Sequence, residues 1–272
     1  MLKSPGWHLL IVWYFFLGGI AGGSYFAAAI ADNFGSPKDR NVIRTGYVLA
    51  LLLIGLCGTL LILDLGTPSR FLNMLGTFKF WDPMSIGAWM LGVFGLFAFL
   101  SSALALSGGE SKAPLRRKIS LVGTIFGFFL AGYTGVLLSA TALPLWSDTR
   151  LMGTLFLASG ASTGMAAISL LLFLGGDSAA EGFTKLKHAD RFAIVFEILV
   201  LGVFLVLLGS AAAPLVTGHL APLFWIGLVL GGLLVPLVLD LGGRRKVPAV
   251  VPSVLVLIGG FILRYVMVMT HP

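Results

Sequence analysis

The sequence predicts an all-α membrane protein with eight spanning helices. Hydrophobic residues make up 58% of the 272 and charged residues 11%, and a mean hydropathy of +1.01 leaves too little polar surface to wrap a soluble fold of this size. Eight apolar segments, at 7–30, 46–65, 85–106, 119–142, 151–175, 192–213, 222–241 and 250–269, alternate with basic or aromatic loops. Each approaches or exceeds the roughly 20 residues a helix needs to cross about 30 Å of hydrocarbon. The 36 glycines agree, since Gly is costly in soluble helices but lets helices approach closely in lipid.

The first segment follows Lys3 and ends in small residues like a signal peptide, but its apolar run exceeds a usual signal core, so a retained helix is expected. The second contains the single cysteine, Cys57, which excludes a disulfide framework and a cluster held by several cysteines and fits helix packing. The third opens after Asp82-Pro83, a common helix start in which Asp82 caps the first turn. The fourth carries Tyr133 and Thr134, the sixth Glu197, the seventh ends at Asp240, and the eighth holds Arg264.

Charge sets the expected orientation. Thirteen of the 18 basic residues follow odd-numbered segments: Lys38, Arg40 and Arg44; Lys112, Arg116, Arg117 and Lys118; Lys185, Lys187 and Arg191; and Arg244, Arg245 and Lys246. The positive-inside rule puts these in the cytoplasm and both termini in the periplasm. The net charge of +7 is then a topology signal and an attraction to membrane lipids, not a nucleic-acid footprint. Of the opposite loops, residues 66–83 carry Phe71, Phe78, Phe80 and Trp81, and residues 142–150 carry Trp146. Part of this is the interfacial aromatic belt; the concentration of aromatics predicts a docking surface for an extrinsic partner.

Several motifs together carry a family resemblance: WHLLIVWYFFLGGIAGGSY at 7–25, LDLGTPSRF at 63–71, DPMSIGAW at 82–89, YTGVLLSATALPLW at 133–146 and GFILRY at 260–265. In this order the sequence resembles the NrfD/PsrC family, the quinone-interacting membrane subunits of polysulfide-reductase-like complexes. The resemblance implies two four-helix bundles, residues 1–142 with the quinone site and residues 143–272. It also implies a ferredoxin-like iron-sulfur subunit docked on the outer loops, a molybdopterin or multihaem catalytic subunit beyond it, and a prokaryotic cytoplasmic-membrane location. The protein itself is expected to hold no haem, iron-sulfur cluster or metal, and to present menaquinone or ubiquinone to the partner. Independently, His8, His188, His219 and His271 all lie near helix ends or loops, whereas a membrane haem wants ligands within neighbouring helices.

A quinone needs hydrogen-bond or proton donors at its carbonyls and an apolar, aromatic slot. His8, Tyr14, Asp64, Arg70, Trp89 and Tyr133 all belong to the first four helices and to the outer side. On the family pattern Tyr133 bonds the quinone; the alternative is a belt tyrosine. The sequence departs from that pattern at Tyr14, where better-known members place a histidine, and at Ile11, where they place an amide. Tyr14 substitutes as donor, or His8 does so from a helix-entry position, or quinone binding is weakened or lost. Asp64 pairs with Arg70, exchanges a proton with the quinone, or does both.

Glu197, Asp240 and Arg264 are the candidate proton-path residues, because ionisable groups at membrane depth are expensive. For Glu197 the alternative is snorkelling toward Arg191 or Lys187. Asp240 alternatively pairs with the Arg244-Arg245-Lys246 cluster, and Arg264 alternatively anchors the second bundle through backbone carbonyls. Ser24, Thr59, Thr124 and Ser139 are scattered candidate steps between the two faces.

Overall fold

The computed structural model describes residues 9–64, 76, 83–107, 110–140, 144–147, 149, 151–177, 181–241 and 250–270. Eight long helices account for most of them: α1 (Leu9–Phe34), α2 (Arg40–Asp64), α3 (Pro83–Leu106), α4 (Ala113–Ser139), α5 (Met152–Leu174), α6 (Glu181–Leu208), α7 (Leu223–Leu241) and α8 (Val250–Met269). All eight are long and apolar enough to span a membrane, and no strand occurs among the described residues. A backbone in hydrocarbon must satisfy its own polar groups, which a helix does within one segment.

Three helices run further into the basic region than their apolar segments. α2 starts at Arg40, α4 at Ala113 and α6 at Glu181. Hydropathy marks the thickness of hydrocarbon, whereas the helix continues until a cap stops it. Before α2 the stop is a capping box, with Pro37 in the first turn and the Ser36 backbone N–H donating to Asp39 Oδ2 at 2.7 Å. α5 ends at Gly176, whose φ of 82° lets the Asp177 N–H reach back to the Leu172 carbonyl at 2.9 Å.

α1 and α5 form the centre. Seventy-two per cent of the spanning window of each is buried, against 28% for α2, α3 and α7. α1 packs on α2, α4, α5 and α8, and α5 on α1, α4, α6 and α8. The two cross backbone to backbone: a Cβ added at Gly23 would strike the Gly160 carbonyl, and one added at Gly164 would strike the Gly23 backbone. In lipid, such close approach replaces water expulsion as the source of packing energy.

α7 is wound as a π-helix from Leu223 to Leu234 before reverting to α over Val235–Leu241. Pro236 sits at that change; it supplies no N–H and its ring crowds the carbonyl four residues back. The wide stretch still packs tightly, because Gly232 meets Gly259 of α8 backbone to backbone.

The loops on the basic side tie neighbouring ends together. Lys38 pairs with Glu181 at 2.9 Å, Arg116 with Asp32 at 2.6 Å and Lys187 with Asp240 at 3.3 Å. On the opposite side one expectation is corrected. Trp146, assigned to an exposed docking loop, is wholly buried and donates its indole N–H to the Met267 carbonyl of α8 at 2.8 Å. Its ring therefore ties the helical turn Pro144–Ser147 to the end of α8 and presents nothing to a partner. The remaining aromatic positions of residues 66–83 lie outside the described residues.

Candidate functional site

At the end of the bundle opposite the basic loops, four helices bring their side chains together. Tyr14 of α1 and Tyr133 of α4 are both buried, and the buried Cys57 thiol of α2 donates to the Tyr14 carbonyl at 3.7 Å. α3 supplies a glycine. A Cβ on Gly87 would lie 2.5 Å from the Tyr133 hydroxyl, so the missing side chain is what lets the phenol seat against α3. Behind the hydroxyl the Tyr133 ring stacks on Phe129, with centroids 5.6 Å apart.

That ring is also one wall of a cavity of about 290 Å³ between α4 and α5, lined by Phe128, Phe129, Val136, Gly153 and Leu157 among others. Phe128, Phe129 and Val136 are exposed, so the cavity opens on the lipid-facing surface. It is near the lower bound for ligand pockets, large enough for a ring headgroup whose tail stays in lipid.

The other predicted members of this site are placed differently. Trp89 leaves α3 two residues after Gly87, about 200° round the helix, and is 38% exposed. Asp64 is the last residue of α2 and half buried. His8 and Arg70 lie outside the described residues, as does Asp82, although α3 does begin at Pro83.

A second polar cluster lies between α5, α6 and α8. Arg264 is fully buried and donates to Ser159 Oγ at 2.5 Å, to the Gly260 carbonyl at 2.9 Å and to the Phe156 carbonyl at 3.2 Å. Its guanidinium also lies over the Phe156 ring, and Gly19 of α1 makes room for it: a Cβ there would come within 2.8 Å of Nη2. Glu197 of α6 accepts from Ser162 Oγ at 2.5 Å and interacts with both Ser159 and Arg264. Snorkelling is therefore the wrong reading of Glu197: it points into the bundle, while Arg191 bonds His188 at 2.9 Å and Lys187 pairs elsewhere. A buried charge needs such a network, since either partner left alone would cost several kcal/mol, of order 3–5.

Lys187 leads to residues that the sequence reading missed. It lies 3.3 Å from Asp240 and 3.7 Å from Asp190, and Asp190 is fully buried with neither carboxylate oxygen hydrogen-bonded. Asp190 also interacts with Glu197. Lys187, Asp190 and Glu197 thus share one face of α6, and polar groups run from Asp240 at the basic end to Arg264 in the interior. The spacing was readable, but KLKHADR looked like a loop because it is charged. The cluster at 244–246 expected to pair with Asp240 lies outside the described residues.

A second acidic residue was also missed. Asp32 of α1 is buried, held in two contacts of 2.6 Å by Arg116 and approached by the Tyr47 hydroxyl at 3.2 Å. By contrast Ser24, Thr59, Thr124 and Ser139 each bond a carbonyl four residues back on their own helix. Hydroxyls used this way cap their own backbone rather than bridge helices. Among the described residues no group of three or more His, Cys, Asp or Glu is arranged to hold a metal ion.

Comparison with known proteins gives a consistent result. The sequence profile described as "Polysulphide reductase, NrfD" matches residues 1–271. The protein is 34% identical to the C subunit of polysulfide reductase from Wolinella succinogenes over 267 residues, a match spanning 86% of this sequence and 82% of that one. It is 27% identical to the NrfD homolog of Haemophilus influenzae, spanning 95% and 92% of the two sequences, and 26% identical to NrfD of Escherichia coli, spanning 97% and 94%. With a full-length profile match and eight spanning helices, this chain belongs to the polysulphide reductase NrfD family, multi-pass proteins of the prokaryotic cytoplasmic membrane.

Proposed function

We propose that the protein is the membrane anchor and quinone-reacting subunit of a respiratory oxidoreductase, exchanging electrons with an extrinsic iron-sulfur subunit on the face opposite the basic loops. The observation that carries this reading is the seating of Tyr133: its hydroxyl is fixed beside Gly87 and near Tyr14, while its ring walls an aromatic, lipid-facing cavity. Similarity to a lettered subunit of polysulfide reductase supports a place in a multi-subunit complex.

In this reading residues 1–142 supply the quinone-bonding groups, Gly153 and Leu157 of α5 close the cavity, and the rest of residues 143–272 completes the anchor, with both termini on the periplasmic side. Menaquinone or ubiquinone, in its quinol form, enters the cavity from lipid, its ring against Phe129 and one oxygen bonded by Tyr133. Oxidation of the quinol releases electrons and protons in equal number. The electrons pass to the partner's nearest cluster, which in turn serves a molybdopterin or multihaem catalytic subunit, and the protons leave through Asp64 at the helix end. Tyr14 completes the proposed quinone environment, with His8, Arg70 and Trp89 as its further proposed members. The subunit carries no haem, cluster or metal of its own. Glu197, Asp240 and Arg264, joined by Asp190 and Lys187, form the proposed proton route from the basic face.

The test is quinol turnover by the purified complex. Tyr133→Phe removes one hydrogen bond to the quinone, so turnover falls about tenfold with complex assembly unchanged. Asp64→Asn slows the proton step in the same assay. A second reading, an anchor without quinone turnover, is favoured by the burial of both Tyr14 and Tyr133, which are only 7% and 6% exposed. Turnover at the unmutated rate in both variants removes this assignment of the site; absence of bound quinone and of any inhibitor effect near Tyr133 selects the anchor.

A further inference from the structure

The basic end holds a cavity that none of this uses. It measures about 330 Å³ and lies where the end of α1, the start of α2, the end of α3 and the start of α4 meet. Four arginines line it, Arg40, Arg44, Arg116 and Arg117, with a single carboxylate, Asp32. That carboxylate is already spent: Arg116 holds it through Nε and Nη2, and the Arg117 Nε lies 3.6 Å away. Arg44 directs its Nε to the Ala105 carbonyl at 3.1 Å, which fixes its stem at the cavity wall. Formally the lining carries three more positive charges than negative ones.

The backbone adds to the same field. Pro37, in the turn that opens α2, and Pro114, in the first turn of α4, both line the cavity, so the positive ends of two long helix dipoles face it. The level of the cavity in the bundle identifies the surroundings. Phe34, Leu106 and Leu115, each within two residues of a lining residue, are 82%, 59% and 54% exposed. Exposed apolar side chains beside partly exposed arginines mark the depth at which hydrocarbon gives way to headgroups.

We infer that this cavity binds a phosphate group, with the headgroup of an anionic phospholipid in the basic-side leaflet as its source. Arginine forks match phosphate oxygens, and an interfacial basic pocket between helices is the setting in which anionic headgroups are held. Bound there, the lipid joins the ends of α1, α2, α3 and α4.

Lipid binding to the full-length protein, followed by native mass spectrometry in detergent, tests this with phosphatidylglycerol, phosphatidylcholine and inorganic phosphate as separate probes. The double variant Arg40→Gln/Arg44→Gln is expected to bind phosphatidylglycerol about tenfold to thirtyfold more weakly, with phosphatidylcholine unchanged. Arg117→Gln, whose side chain is half exposed, is the second variant should the double one not fold, with a loss of about fivefold. Lys118→Gln, exposed and outside the cavity, leaves binding intact. Loss of phosphatidylglycerol without competition by inorganic phosphate supports the lipid source. Inorganic phosphate binding that the variants lose, with no preference between the two lipids, keeps the phosphate site but assigns a free anion. Equal binding of every probe by the wild type and the variants overturns the inference.

Discussion

Gly87 is where a single missing methyl group has the most specific consequence. Nothing but the absence of a Cβ lets the Tyr133 hydroxyl sit 2.5 Å from that position. Gly87→Ala therefore moves the phenol rather than removing it, and overpacking of this kind costs about 1–3 kcal/mol. Quinol turnover in Gly87→Ala should fall at least as far as in Tyr133→Phe, while Tyr133→Phe keeps wild-type thermal stability; turnover equal to wild type in Gly87→Ala would detach the tyrosine from the chemistry. Arg264 and Glu197 offer a second test at this scale. Arg264→Met leaves a buried carboxylate without its cation, at about 3–5 kcal/mol, and adding Glu197→Gln should return much of that loss in thermal unfolding. Additive losses would show that the two do not act as a pair. The sequence displayed these residues but not their partners. Tyr133, Glu197 and Arg264 were visible as polar groups in apolar runs, whereas Ser159, Ser162 and Gly87 acquire meaning only when α3, α5, α6 and α8 are packed.

Among the elements, the crossing of α1 and α5 organises the rest. Both helices are largely buried, and Gly23, Gly160 and Gly164 bring their backbones into contact. The obstacle to a side chain at Gly164 is backbone, which cannot rotate away. Gly164→Ala should accordingly lower thermal stability by more than the usual 1–3 kcal/mol of core overpacking, read as loss of a monodisperse species on size-exclusion chromatography at elevated temperature; an unchanged melting temperature would mean that the crossing tolerates separation. The helices themselves were legible from length and hydropathy, and their extensions on the basic side were not. Arg40 begins a helix after a capped turn, and the helices from Ala113 and Glu181 start well before their apolar runs; hydropathy is blind to both. The same blindness hid Asp190 in a stretch read as a loop. Trp146 failed in the opposite sense: a tryptophan in a short loop reads as interfacial, and only the fold supplies the Met267 carbonyl that draws it inside.

At the scale of the whole molecule, two polar regions bear on the proposed function, apart from the arginine-lined cavity at the basic end. One is the small aromatic cavity and tyrosine pair at the end away from the basic loops, within the first four helices and the start of α5. The other is the row of charges along α6, from Asp240 through Lys187 and Asp190 to Glu197 and Arg264. Electron exchange at one end and proton movement from the other is a division of labour this layout accommodates, and membrane energetics explains why so many buried charges are retained at all. The claim on which the rest depends is that quinone occupies the cavity beside Tyr133. Photo-crosslinking of an azido-quinone to the intact complex, followed by peptide mapping, tests it directly. The account predicts labelling at Phe128, Phe129, Val136 or Leu157 that unlabelled quinol displaces; displaceable labelling confined to the basic end, or none above background, would contradict it.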